Sequence, residues 1–159
     1  MDDLAFLATE LGAALKARGL MLVLAESCTG GLASAAITEI PGSSAWFERG
    51  FVTYSNEAKM EMLGVTAKTL EKFGAVSEET AREMALGALK NSHANVAISI
   101  TGIAGPAGGT PEKPVGTVCF AWVFDDNLVS TTKKISGNRQ PIRHLSVETA
   151  LRELLKLLN

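Results

Sequence analysis

At 159 residues the chain has the length of one compact domain, and we read 1–159 as a single unit because a second core would have little to build from. A hydrophobic fraction of 47% against 20% charged is that of a globular protein, neither disordered nor fibrous. The formal charge of −2, with lysines and arginines scattered rather than clustered, argues against nucleic acid as a partner. The longest apolar runs, residues 21–25 and 118–124, fall far short of the ~20 residues a membrane helix needs.

The opening Met1-Asp2-Asp3 is acidic, whereas a secretory leader begins with positive charge. Two cysteines in apolar settings, Cys28 and Cys119, predict reduced thiols and a cytoplasmic protein. Along the chain, Leu4, Leu7, Leu11 and Leu15 recur at helical steps and predict a first helix ending near Arg18-Gly19. Residues 21–25 are continuously apolar, as in a strand covered on both faces. The stretch from Thr29 to Ile37 reads as a helix entered through Gly30 and Gly31 and stopped before Pro41-Gly42, so Ser27 falls on a strand-to-helix turn. Residues 51–54 predict a second strand, after which Asn56 caps a helix carrying Lys59 until Gly64 ends it.

Ser77, followed by Glu78 and Glu79, predicts another helix start, with Ala81, Met84, Ala85, Ala88 and Leu89 as its buried stripe. Residues 96–100 are a strand running into a glycine-rich loop from Thr101 to Gly109. Residues 115–124 and 128–135 read as strands joined by Asp125-Asp126-Asn127, a C-terminal hairpin whose second strand, with Ser130, Thr132, Lys133 and Lys134, suits a solvent-facing edge. Val147, Leu151, Leu154, Leu155 and Leu158 define a terminal amphipathic helix. This alternation predicts an α/β fold: a three-layer α/β/α sandwich around a mixed, mostly parallel sheet of about five strands.

In such sheets ligands gather at the carboxyl ends of strands. Ser27 stands at one such end, followed by glycines whose N–H groups can face a developing oxyanion, which is a nucleophile's setting; capping the helix is the competing use of Ser27 or Thr29. Glu26 either orients a neighbour or stays hydrated at the strand end. Cys28 reads more readily as a small buried hydrophobe than as the nucleophile. The two histidines, His93 and His144, lie away from strand ends, which leaves lysine as the base for a serine. Lys59, a short helical turn past Tyr54, is the candidate, provided burial brings its pKa down from the ordinary ~10.4. A solvated lysine beside a sheet-end tyrosine is the alternative. Arg139 and Arg143, four apart at the start of the terminal helix, share a face and can clamp a phosphate or simply form ion pairs. No histidine or aspartate spacing suits a metal, and the glycine-rich loop lacks the spacings of nucleotide-cofactor loops. Neither a metal nor a cofactor is therefore expected.

Taken together, Glu26-Ser27-Cys28-Thr29-Gly30-Gly31, Thr53-Tyr54-Ser55-Asn56-Glu57-Ala58-Lys59, Gly74-Ala75-Val76-Ser77-Glu78-Glu79, Thr101-Gly102-Ile103-Ala104-Gly105-Pro106 and Gly137-Asn138-Arg139 resemble the CinA C-terminal domain family over nearly the whole chain. The resemblance implies a stand-alone amidohydrolase acting on nicotinamide mononucleotide. It further implies Ser27 as nucleophile, Lys59 as base and Tyr54 as assisting hydroxyl. Thr29, Gly30 and Gly31 would surround the oxyanion, while Thr101, Gly102, Gly105 and Arg139 line the substrate pocket, with Arg143 added on helix geometry. A small nucleotide substrate and, by default, an isologous dimer complete the expectation. Its rivals are a nucleotide-binding module without catalysis, a hydrolase for another small phosphorylated substrate, and a structural partner domain.

Overall fold

The computed structural model describes residues 3–159, so Met1 and Asp2, on which part of the N-terminal reading rests, lie outside the described residues. In chain order the elements are α1 (Asp3–Ala17), β1 (Leu22–Glu26), α2 (Leu32–Thr38), β2 (Phe47–Val52), α3 (Asn56–Leu63), α4 (Ala67–Phe73), α5 (Glu78–Lys90), β3 (Val96–Gly102), β4 (Thr117–Phe124), β5 (Asn127–Lys134) and α6 (Arg139–Leu158). The strands form one sheet in the order β2-β1-β3-β4-β5. β1 pairs in parallel with both β2 and β3, whereas β3 with β4 and β4 with β5 are antiparallel. The pairings are thus evenly split, yet β4 alone runs against the common direction.

The layers follow from alternation along the strands, since successive side chains point to opposite faces. Leu22, Leu24, Ile98, Ile100, Phe120 and Trp122 face one side, where they meet leucines of α1 and α6 and residues Ala33 and Ile37 of α2. The Trp122 indole N–H donates to the Ala150 carbonyl at 3.0 Å, so the one polar atom of that large side chain is satisfied within the core. Val23, Ala25, Ala97, Cys119 and Ala121 face the other side against Ala81, Met84, Ala85 and Ala88 of α5. Fully burying each large aliphatic side chain contributes about 1.5–3 kcal/mol. Small residues on the second face let α5 lie close, and Gly87 takes this furthest, because a Cβ there would run into the backbone carbonyl of Leu63 at the end of α3. α3, the helix carrying Lys59, therefore docks on α5 through a glycine.

Three departures from the sequence reading have physical reasons. β2 spans Phe47–Val52 rather than 51–54, because it is an edge strand whose exposed Arg49 and Gly50 break the apolar pattern. Ser55, not Asn56, caps α3, its hydroxyl accepting the Ala58 N–H at 3.0 Å. The short α4, capped by Thr66, has no counterpart in the predicted elements. The hairpin forms as expected, with Asp125 at φ 52° and Asp126 at φ 64° supplying the left-handed pair that a tight two-residue turn requires.

Candidate active site

Because β1, β2 and β3 are parallel, their carboxyl ends share one edge of the sheet, and the chain leaves β1 toward β2 before crossing to β3 on its other side. That reversal opens the crevice in which doubly wound sheets bind ligands. It holds a cavity of about 260 Å³ lined by Ser27, Tyr54, Lys59, Thr101, Gly102 and Arg139. Six of the predicted site residues therefore converge there.

Ser27 is fixed by its backbone. Its N–H continues the ladder to the Ile100 carbonyl of β3 at 3.0 Å, and its own carbonyl accepts the Gly30 N–H at 3.0 Å, closing a turn. Gly30 at φ 58° and Gly31 at φ 105° carry the chain through left-handed conformations that a side chain would strain. Lys59 reaches this turn from α3. It is 1% exposed, and its Nζ lies 3.0 Å from Ser27 Oγ, 3.0 Å from the Thr53 carbonyl and 3.2 Å from the Tyr54 carbonyl. Among the described residues no carboxylate pairs with it. Burial without a counter-charge pushes its pKa below the ordinary value of 10.5; the one opposing influence is the Cys28 thiol. Burial pushes that thiol up to about 12, so near neutral pH Cys28 is uncharged and does not restore the lysine's charge. It is also a poor nucleophile there.

The glycine turn differs from the oxyanion setting expected of it. Glu26 is fully buried, and its carboxylate accepts five hydrogen bonds, from Thr29 Oγ1, the N–H groups of Gly31, Ala33 and Ser34, and Ser34 Oγ, at 2.7–3.2 Å. The start of α2 is thus filled by a carboxylate from the preceding strand, and Thr29, Gly30 and Gly31 do not line the cavity. Sequence reasoning treated Glu26 mainly as a hydrated charge. Its partners are mostly backbone donors, which no side-chain pattern announces, although Thr29 and Ser34 were available signals. Among the described residues, the N–H groups of Cys28 and Thr29 have no hydrogen-bond acceptor on the main chain or on a neighbouring side chain.

The remaining predicted residues divide. The Tyr54 side chain is 60% exposed, and its hydroxyl accepts from Arg139 Nη2 at 3.3 Å, so the phenol stands at the cavity mouth while the carbonyl of the same residue meets Lys59. Arg139 Nη1 also donates to the Gly105 carbonyl at 2.7 Å, which is how Gly105 enters the site without lining it. Thr101 Oγ1 donates to the Ala75 carbonyl at 2.8 Å. Arg143 turns away from the cavity, its Nε on the Cys28 carbonyl and its Nη2 on the Thr29 carbonyl, each at 3.0 Å. Asn56, read as a cap, lines the cavity instead because Ser55 has taken that role. His93 and His144 are both exposed, and His144 faces Glu148 on its own helix. A larger hollow of about 480 Å³ lies elsewhere, between α5 and β5. The lysine on its threonine, Lys134, is exposed, and the Thr117 hydroxyl there already donates to the Pro114 carbonyl at 2.6 Å.

A buried hydroxyl–amine pair thus stands at the carboxyl edge of the α/β sheet, and the chain that carries it has relatives along nearly its full length. The CinA C-terminal domain model matches residues 4–158. The chain belongs to the CinA C-terminal domain family. A relative from Enterobacter agglomerans named nicotinamide-nucleotide amidohydrolase PncC is 57% identical, covering 94% of this chain and 94% of its own. The protein of that name from Pseudomonas putida is 46% identical over 99% of this chain and 98% of its own. Among solved structures, competence/damage inducible protein CihA from Agrobacterium tumefaciens superposes with a TM-score of 0.97 at 48% identity, covering 100% of this chain and 98% of that one.

Proposed function

We propose that the chain is an amidohydrolase that converts nicotinamide mononucleotide to nicotinic acid mononucleotide and ammonia through Ser27 and Lys59. The observation that carries the reading is the coordination of Lys59 Nζ. Two of its three neighbours are carbonyl oxygens, which only accept hydrogen bonds, and the third is the Ser27 hydroxyl. An uncharged amine has two hydrogens and one lone pair; with both hydrogens on carbonyls, the lone pair faces the serine proton. Burial favours that uncharged form. The substrate itself comes from the relatives' names and from a cavity whose mouth carries Arg139.

In this mechanism the Ser27 hydroxyl gives its proton to Lys59 as its oxygen bonds to the carboxamide carbon. The tetrahedral intermediate collapses with cleavage of the carbon–nitrogen bond, and Lys59 returns the proton to the departing nitrogen, so ammonia leaves and an acyl ester remains on Ser27. A water then gives a proton to Lys59 as its oxygen bonds to the ester carbon, and the new intermediate collapses with cleavage of the carbon–Ser27 Oγ bond, Lys59 returning the proton to Oγ, so that the acid leaves and the hydroxyl and the uncharged amine are restored. Arg139 has N–H groups beyond the two spent on Gly105 and Tyr54, and these anchor the phosphate, while the Tyr54 hydroxyl, held by Arg139, orders the mouth. The test is ammonia release from nicotinamide mononucleotide by the wild type and by Ser27→Ala. The wild type should turn over, and the variant should lose about 10⁴-fold or more in kcat while still binding the nucleotide. An active Ser27→Ala enzyme would overturn the reading.

A further inference from the structure

Arg143 and Arg139 sit one helical turn apart, yet only Arg139 lines the cavity. Arg143 is half-buried, and its guanidinium spans two consecutive carbonyls of the nucleophile turn, those of Cys28 and Thr29, each at 3.0 Å. It also lies over Gly30, where a Cβ would come within 3.4 Å of Nη2. Two charged groups therefore hold residues 26–34 from opposite directions: Glu26 takes N–H groups at the start of α2, and Arg143 takes carbonyls from the α6 side.

The consequence follows from peptide planarity. In a trans peptide the carbonyl and the next N–H point in opposite directions. Holding the Cys28 carbonyl toward Arg143 therefore aims the Thr29 N–H away from α6. The Ser27 carbonyl, occupied by the Gly30 N–H, fixes the Cys28 N–H in the same way. These two N–H groups are the donors of the turn left without an acceptor on the main chain or on a neighbouring side chain. In strand-to-helix nucleophile turns, the N–H following the nucleophile is the usual oxyanion donor.

We infer that Arg143 is a positioning residue that, by holding the Cys28 and Thr29 carbonyls, fixes the turn whose cavity-lining Cys28 N–H faces the oxyanion of the tetrahedral adduct on Ser27, rather than a ligand for the substrate phosphate. This rests on the Ser27 acyl-transfer reading and adds the source of its electrostatic stabilisation. Losing one well-aimed oxyanion donor typically costs about 10²–10³ in kcat, and misaiming one costs a comparable or smaller factor.

The test is steady-state kinetics of Arg143→Gln and Arg143→Lys on nicotinamide mononucleotide, with equilibrium binding of the same nucleotide to Ser27→Ala and to Ser27→Ala with Arg143→Gln. Arg143→Gln should lower kcat by about 30- to 300-fold with KM within about twofold. Arg143→Lys keeps the charge and stem but loses the planar fork, and should lower kcat at least about tenfold; it serves if the glutamine variant does not fold. Nucleotide affinity should be the same in both Ser27→Ala backgrounds. A rise in KM with kcat kept, or a tenfold weaker nucleotide affinity, would make Arg143 a phosphate ligand and overturn the inference. So would wild-type kcat in the lysine variant. A fully active Ser27→Ala enzyme would instead remove the acyl-transfer reading beneath it.

Discussion

Two turns leave the same edge of the sheet side by side, and they are built on opposite principles. The turn after β1 carries Ser27 and is held by full charges, the buried Glu26 carboxylate on one side and Arg143 on the other. The turn after β2 leads to Lys59 and is held by ordinary neutral bonds, a Ser55 cap and two carbonyls on the amine. The difference suits the proposed roles. The proposed oxyanion donor must not move, and charge-assisted bonds fix the turn that carries it. The proposed base must stay uncharged, and among the described residues no carboxylate pairs with it, so desolvation outweighs the opposing influence of the Cys28 thiol.

The strongest way to break this contrast is at Lys59. Lys59→Met should lower kcat by about 10²–10⁴-fold, the range for loss of a general base, measured by ammonia release. The same variant has a stability signature with a definite sign. Because the folded-state pKa is lowered, the unfolded chain binds the extra proton over the interval between that lowered value and 10.5. Wild-type stability therefore rises with pH through that interval relative to Lys59→Met, and below it the buried amine is a constant burden. Denaturant midpoints of the two proteins across pH should converge toward alkaline conditions; parallel curves would mean that the amine keeps its charge on folding.

Glu26→Gln tests the charged turn. Either orientation of the new amide leaves a backbone N–H facing an NH₂ group, so unfolding free energy should fall by about 1–3 kcal/mol, with a loss of kcat as Ser27 loosens. An unchanged denaturation curve would show that the carboxylate is not needed to hold α2. The smallest effect belongs to the neutral turn, where Ser55→Ala should cost about 1 kcal/mol, read by the same denaturation, and leave kcat nearly unchanged.

These contrasts mark what the sequence could disclose. Apolar runs in β1 and β3 and the stripe on α5 were legible because burial on both faces, or on one helical face, leaves a period in the residues themselves. The edge strand β2 was displaced in the reading because solvent accepts charge there. At the site, Ser27 and Lys59 could be nominated from strand ends and spacing. The burial of Glu26 could not, since a carboxylate served by backbone donors has no complementary residue to betray it. The partners of Arg143 were hidden for a related reason: its spacing from Arg139 puts both on one side of α6, but the carbonyls it binds come from more than a hundred residues earlier.

The seat of α3 on Gly87 reaches beyond packing. Position 87 does not line the cavity, yet any side chain there would meet the Leu63 carbonyl, so the α3–α5 seat must shift, and a shift of α3 moves Lys59 relative to Ser27. For anyone changing residues along α5 to toughen this enzyme, the buried position 87 is closed: a change made there for heat tolerance would be felt as a slower catalyst.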